Sequence, residues 1–115
     1  MKLECAINDV VPLRIPKVYR VKSVCGDLDL EIELHEDIVE IPQKGSKLII
    51  SLSTSKEECL SYYYCAHGYV ISNTKLNDVH RVVISLHGFL VVLKSKNPLE
   101  YKALDHLYLG LNLVK

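Results

Sequence analysis

Arg81-Val-Val-Ile-Ser-Leu-His-Gly-Phe-Leu-Val-Val-Leu93 is an apolar run interrupted once, at His87-Gly88. Before the interruption, Val82, Ile84 and Leu86 alternate with Arg81, Val83 and Ser85. After it, Phe89, Val91 and Leu93 alternate with Leu90, Val92 and Lys94. Period-two spacing with β-branched residues predicts two strands, and the glycine permits a tight turn between them. The second face is unusual. Val83, Leu90 and Val92 would meet water if only one side were buried. A sheet apolar on both sides is covered twice, by its own fold or by another chain.

Earlier in the chain, Leu28, Leu30, Ile32 and Leu34 alternate with Asp27, Asp29, Glu31 and Glu33, a strand with one apolar and one acidic face. With Cys25-Gly26 as a two-residue hairpin loop, Lys22 falls opposite Asp29 and Arg20 opposite Glu31. Val21 then meets Leu30, and Tyr19 meets Ile32. Residues 17–24 form the partner strand, after an irregular start marked by Pro12 and Pro16. Lys47 to Ser53 is a strand with Leu48, Ile50 and Leu52 inward. Ser55-Lys-Glu-Glu58 fits a capping box, so one or two helical turns occupy 55–61. Tyr62 to Ser72 reads as an aromatic strand with a bend or bulge at Gly68, and Asn73 to Asp78 as a polar turn. Asn97-Pro98 opens a loop to about Asp105. A last strand carries Leu107, Leu109, Leu111 and Leu113 on one face.

Seven or so strands and at most one short helix predict an all-β fold; they fit a small OB-like Greek-key β-barrel, and strand count alone does not separate that from an SH3-like barrel or a sandwich. No linker, low-complexity segment or internal repeat is visible, and residues 1–115 read as a single domain. Hydrophobic residues make up 49% of the chain, enough for a core. Fourteen basic and fourteen acidic residues cancel, so nucleic-acid binding by a diffuse positive field is not supported, while a local basic patch stays open. No apolar run approaches the roughly 20 residues that span a bilayer. The N-terminus lacks a signal-peptide core, and the expected location is the cytoplasm. Cys5, Cys25, Cys59 and Cys65 are widely spaced with no Cys-x-x-Cys, so free thiols are expected there.

These residues resemble the eighth-subunit family of DNA-directed RNA polymerases, which has nuclear members and a shorter archaeal form. The resemblance is carried by Val83-Ile-Ser-Leu-His-Gly-Phe-Leu90, by Gly68-Tyr-Val70, by Pro42-Gln-Lys-Gly-Ser-Lys-Leu48, and by Asp105 followed by Leu107-Tyr-Leu109, in that family's order from about Lys17 to the end. Two positions depart from it. His87 stands where the family usually has the first of two glycines, and Val92 where an arginine is common. The segment 54–61 is shorter than the acidic insertion of the nuclear members, as in an archaeal form. The resemblance implies a non-catalytic structural subunit docked on the largest polymerase subunit, within the rest of that complex. It implies no cofactor, no small-molecule substrate, no membrane, and nucleic acid contacted only indirectly or weakly. Val83, Leu90, Val92 and Tyr108, with His87 and Gly88 at the rim, are the expected partner interface, and addition at an unpaired strand edge is one docking mode.

Other chemistry weighs less. Cys59, Cys65 and His67 are of zinc-ligating types, but their spacing fits no ribbon or finger, and structural thiols with a satisfied histidine are the simpler reading. Cys65 and His67, at i and i+2 of a strand, lack the third group that would orient a nucleophile's base. The acidic row Asp27, Asp29, Glu31 and Glu33 reads as a solvated face beside Lys22 and Arg20. Tyr62, Tyr63, Tyr64 and Tyr69 suggest the alternative function, a stand-alone OB-type single-stranded nucleic-acid-binding module. Alternation sends Tyr62 and Tyr64 to one face and Tyr63 and Tyr69 to the other. No Lys or Arg lies between Tyr64 and Ile71, so packing is the simpler use.

Overall fold

The computed structural model describes residues 1–114. Eight strands are arranged as β1 (Lys2–Pro12), β2 (Val18–Cys25), β3 (Leu28–His35), β4 (Lys47–Ser53), β5 (Tyr64–Leu76), β6 (Val79–Leu86), β7 (Phe89–Ser95) and β8 (His106–Val114). One helix, α1 (Lys56–Leu60), lies between β4 and β5. The strands close into an antiparallel barrel in the order β1-β2-β3-β7-β6-β5-β8-β4. The expected OB-like Greek-key barrel with one short helix is what the chain forms.

The order contains the same Greek key twice. Three hairpin-linked strands are followed by a fourth that returns beside the first, as β4-β1-β2-β3 and again as β8-β5-β6-β7. The registers agree residue by residue. Ala6 pairs with Val24 and Lys47, and Tyr69 pairs with Ser85 and His106. β1 bulges after Ile7 and β5 after Val70. The Ile7 backbone bonds Gly45 and Ser46 just as the Val70 backbone bonds Leu104 and Asp105. The two seams between the keys are centred on Glu31 opposite Val92 and on Ser51 opposite Gly110. The sequence showed no repeat because equivalent positions hold different residues.

The interior is built from the alternating faces. Leu30, Ile32, Leu48, Ile50, Val82, Ile84, Val91, Leu93, Leu109 and Leu111 are wholly buried in one cluster. Ser55 caps α1, accepting a hydrogen bond from the Glu58 N–H at 3.2 Å. The Glu58 carboxylate does not return to Ser55 as a full capping box would; it accepts from Ser51 Oγ.

Five expectations are corrected. β1 is a full strand that the sequence pattern concealed, because its bulge moves the inward side chains from Leu3, Cys5 and Ile7 to Val10 and breaks the period of two. The β2–β3 loop is Gly26-Asp27, not Cys25-Gly26. Lys22 therefore faces Glu31 and Arg20 faces Glu33, while Val21 meets Ile32 and Tyr19 meets Leu34. Gly26 supplies a φ of +62° at the first loop position, as a type II′ turn needs. The partner shifts by two residues, so every side chain keeps its face. β5 runs on to Leu76, and only Asn77-Asp78, both with positive φ, make the turn. Its bulge is at Ile71 rather than Gly68. Gly68 instead admits the β6 backbone, since a Cβ there would meet the Ser85 carbonyl oxygen.

The fifth correction concerns sulfur. Cys5–Cys25 and Cys59–Cys65 are disulfides, and no cysteine is free among the described residues. Sequence spacing hid the first pair because the β1–β2 register brings together residues 20 apart, with Cα atoms 4.2 Å from each other. The second ties α1 to the start of β5.

Candidate interaction surface

Side chains that alternate with the core point out of the barrel wall. On β6 and β7 these include Val83, Ser85, Leu90 and Val92, and on β5 and β8 His67, Tyr69, His106 and Tyr108. Cross-strand pairing joins them into rows. Leu90 lies opposite Ser85, Ser85 opposite Tyr69, and Tyr69 opposite His106. Alongside, His87 from the β6–β7 turn approaches His67 at 6.4 Å between ring centroids, and His67 lies 4.8 Å from Tyr108. A third row pairs Val92 with Val83 and Val83 with Ser72. The six residues singled out in the sequence thus share one outer face, joined through β5.

Their exposure differs. Val83 is only 7% exposed, covered by its own neighbours, and Leu90, Val92 and Tyr108 are half-buried. His87 and Gly88 form an exposed turn, with φ of 55° and 98° as a type I′ hairpin requires. On this face the widely exposed apolar groups lie just beyond them, at Tyr69 (44%), Ile71 (52%) and Leu104 (78%); others, such as Ile15, Ile38 and Leu60, are scattered elsewhere. The Leu104 N–H bonds the Val70 carbonyl, which sets Leu104 beside the Ile71 bulge. Sequence reading missed His67, Tyr69, His106, Ile71 and Leu104 as members of this face. Alternation within His67-Gly-Tyr69 and His106-Leu-Tyr108 was a usable signal for the rings. Nothing local announced Ile71 or Leu104, which depend on a bulge and a crossover.

The two keys provide an internal comparison. Where the second key carries His67, Tyr69, Ile71 and His106, the first carries Glu4, Ala6, Asn8 and Lys47 at equivalent register positions. Where the second carries Val83, Leu90 and Val92, the first carries Lys22, Asp29 and Glu31. The first key's outer wall is bound by ion pairs: Glu4–Lys47 at 3.8 Å, Arg20–Glu33 at 3.0 Å and Lys22–Glu31 at 3.9 Å. Lys94 joins Glu31 across the seam at 3.8 Å, and Glu33 also accepts the Leu90 N–H at 2.8 Å. One scaffold thus folds with either kind of wall. The aromatic and apolar wall is not a requirement of the barrel.

The remaining candidates fall elsewhere. Both sulfurs of Cys59 and Cys65 are engaged with each other, so neither is a thiolate beside His67. Among the described residues no group of three His, Cys, Asp or Glu is placed to hold a metal ion. The tyrosines do not divide as alternation suggested, because β5 begins only at Tyr64. Tyr64 packs against the core. Tyr62 lies outside, over Gly110, whose missing Cβ makes room for the ring. Tyr63 is exposed; its N–H donates to Asn112 Oδ1 at 2.8 Å, and its hydroxyl accepts from the Glu40 N–H at 3.1 Å. The closed barrel gives every strand two neighbours, so docking by strand addition is left only short edges, such as Ser72–Leu76 of β5.

Comparison with known proteins gives a consistent result. The family model describing the G subunit of DNA-directed RNA polymerase matches residues 1–113. DNA-directed RNA polymerase subunit Rpo8 of Sulfolobus acidocaldarius is 30% identical over 114 residues, covering 94% of this chain and 93% of that one. Among solved structures, the cytoplasmic molybdate-binding protein ModG aligns over 99% of this chain and 93% of its own, at 11% identity and a TM-score of 0.38. A likeness that slight carries no argument.

Proposed function

The chain belongs to the family of the G subunit of DNA-directed RNA polymerase, and we propose that it is a non-catalytic subunit that docks on the largest polymerase subunit through the outer wall of its second Greek key. Catalysis falls to other subunits, and this domain supports assembly and transcription by covering a surface of its neighbour. The interface centres on Tyr69, His67, Tyr108 and His106. Val83, His87, Gly88, Leu90 and Val92 lie along one side, Ile71 and Leu104 along the other. One observation carries this reading: equivalent positions of the same scaffold hold ion pairs in one key and rings and aliphatic groups in the other. Exposed apolar groups that the fold does not need mark a partner site. The setting is the cytoplasm, where a pair of disulfides is unusual except in proteins of hyperthermophiles.

The nucleic-acid alternative has less support. A single-strand platform pairs stacking rings with basic groups. The rows from Leu90 to His106 and from His87 to Tyr108 contain neither Lys nor Arg.

The test uses four surface variants, Tyr69→Asp, Leu104→Asp, Leu90→Asp and Val92→Asp, with Glu4→Ala and Lys47→Ala as controls in the first key. The Asp variants should keep the circular dichroism of the folded barrel and lose co-purification with the largest subunit. The controls should co-purify as before. Retention of all four Asp variants removes the proposed surface, and salt-sensitive capture of oligonucleotides by the isolated chain supports the alternative.

A further inference from the structure

We infer that the docking wall is proton-sensitive, with the cluster of His67, His87 and His106 weakening attachment to the polymerase when it becomes charged. This rests on the docking reading above. His67 is the hub: its ring centroid lies 6.4 Å from that of His87 and 5.4 Å from that of His106. Imidazole is the side chain whose charge ordinarily changes between about pH 5 and 8. A proton gained by one imidazole repels any gained by its neighbours, so positive charge in this cluster is self-opposing. On the free chain, water screens these charges. Under a partner that excludes water and sets no anion against the cluster, each added charge is desolvated without compensation, which is costly.

One carboxylate, Asp105, adjoins the cluster at His106; the other neighbours are uncharged or already engaged. On β5 and β8 the neighbours are the rings of Tyr69 and Tyr108, 5.3 and 4.8 Å from His67. Ser85 of β6 lies opposite Tyr69, and Ser53 of β4 opposite Tyr108. In the connection before β8, the Asp105 carboxylate accepts the Lys102 N–H at 2.9 Å, with the Lys102 ammonium on the same turn. Beyond Leu90, Glu33 is held by Arg20 and the Leu90 N–H. On α1, which packs against β4, β5 and β8, Glu58 is engaged by Ser51. The first key has Glu4, Gly26 and Lys47 at the positions of the three histidines, so the fold does not call for imidazole there.

The experiment measures the affinity of the full chain for polymerase lacking this subunit, at about pH 8 and about pH 5.5. It is repeated with the triple variant H67N/H87N/H106N, under conditions where circular dichroism shows the barrel folded. The natural chain should lose affinity at least roughly tenfold on acidification, and the variant by no more than about twofold. If the triple variant does not dock at the higher pH, His67→Asn alone, which removes the hub, serves for the comparison. Unchanged or tighter binding of the natural chain in acid, or an equally steep loss in the variant, overturns the inference. Failure of the natural chain to bind at the higher pH overturns the docking reading instead.

Discussion

Glu31 and Val92 face each other across the β3–β7 seam, at the centre of the pairing that relates the two Greek keys. They occupy the same structural position, one in each copy of the motif. One side chain is a carboxylate held between Lys22 and Lys94; the other lies against Val83. The border between ion pairs and apolar groups passes this pair, with Lys94 and Arg81 of the second key on its charged side.

The core prediction concerns Leu109, which is wholly buried and points into the barrel between Ala66 and Leu52. Leu109→Ala should cost about 2–5 kcal/mol through lost burial and the cavity left behind. A denaturant midpoint matching that of the natural chain would place Leu109 outside the core.

Gly68→Ala should be nearly as damaging, although it adds only one methyl. That methyl would press on the Ser85 carbonyl and the Leu86 side chain. β6 must then shift, at a cost of about 1–3 kcal/mol. In the first key the equivalent pair is Cys5–Cys25, where the disulfide occupies that space. Thermal unfolding of the variant checks this.

Removing the disulfides should weaken the barrel unequally. Cys5–Cys25 closes 20 residues and Cys59–Cys65 closes 6. On the chain-entropy account the first stabilises by about 3 kcal/mol and the second by about 2 kcal/mol. The double Ala variants, melted side by side, should rank in that order.

Alkaline stability should depend on Tyr64. Burial raises the pKa of its phenol above the ordinary value of 10.0, and that of Tyr101 likewise. A raised native value means that the unfolded chain ionises first. The stability is whole below about pH 10 and is lost as pH rises through the native value. Tyr64→Phe should change little at neutral pH and move the alkaline unfolding limb upward. An unmoved limb would show that Tyr64 titrates without hindrance.

Legibility followed regularity. The strands from Lys47, Arg81, Phe89 and His106, and the capped helix, were readable because their inward residues keep strict period. β1 was not, because one bulged residue reverses the alternation. The β2–β3 register was misplaced because Cys25-Gly26 and Gly26-Asp27 serve equally well as loops by composition, and the opposing charges tolerate either pairing. Of the candidate surface, the β6–β7 part stood out in the apolar run. The β5–β8 part did not, since Tyr69 and His106 meet only after a crossover, and the disulfide partners likewise meet only in three dimensions.

The wall is sewn shut around its middle, and only hairpin ends such as Ser72–Leu76 of β5 leave a short loose hem. Other copies of the chain find only short edges beside bulges on which to stack, so the usual template for fibre growth is small among the described residues. A subunit built this way can accumulate ahead of its assembly without seeding its own deposits.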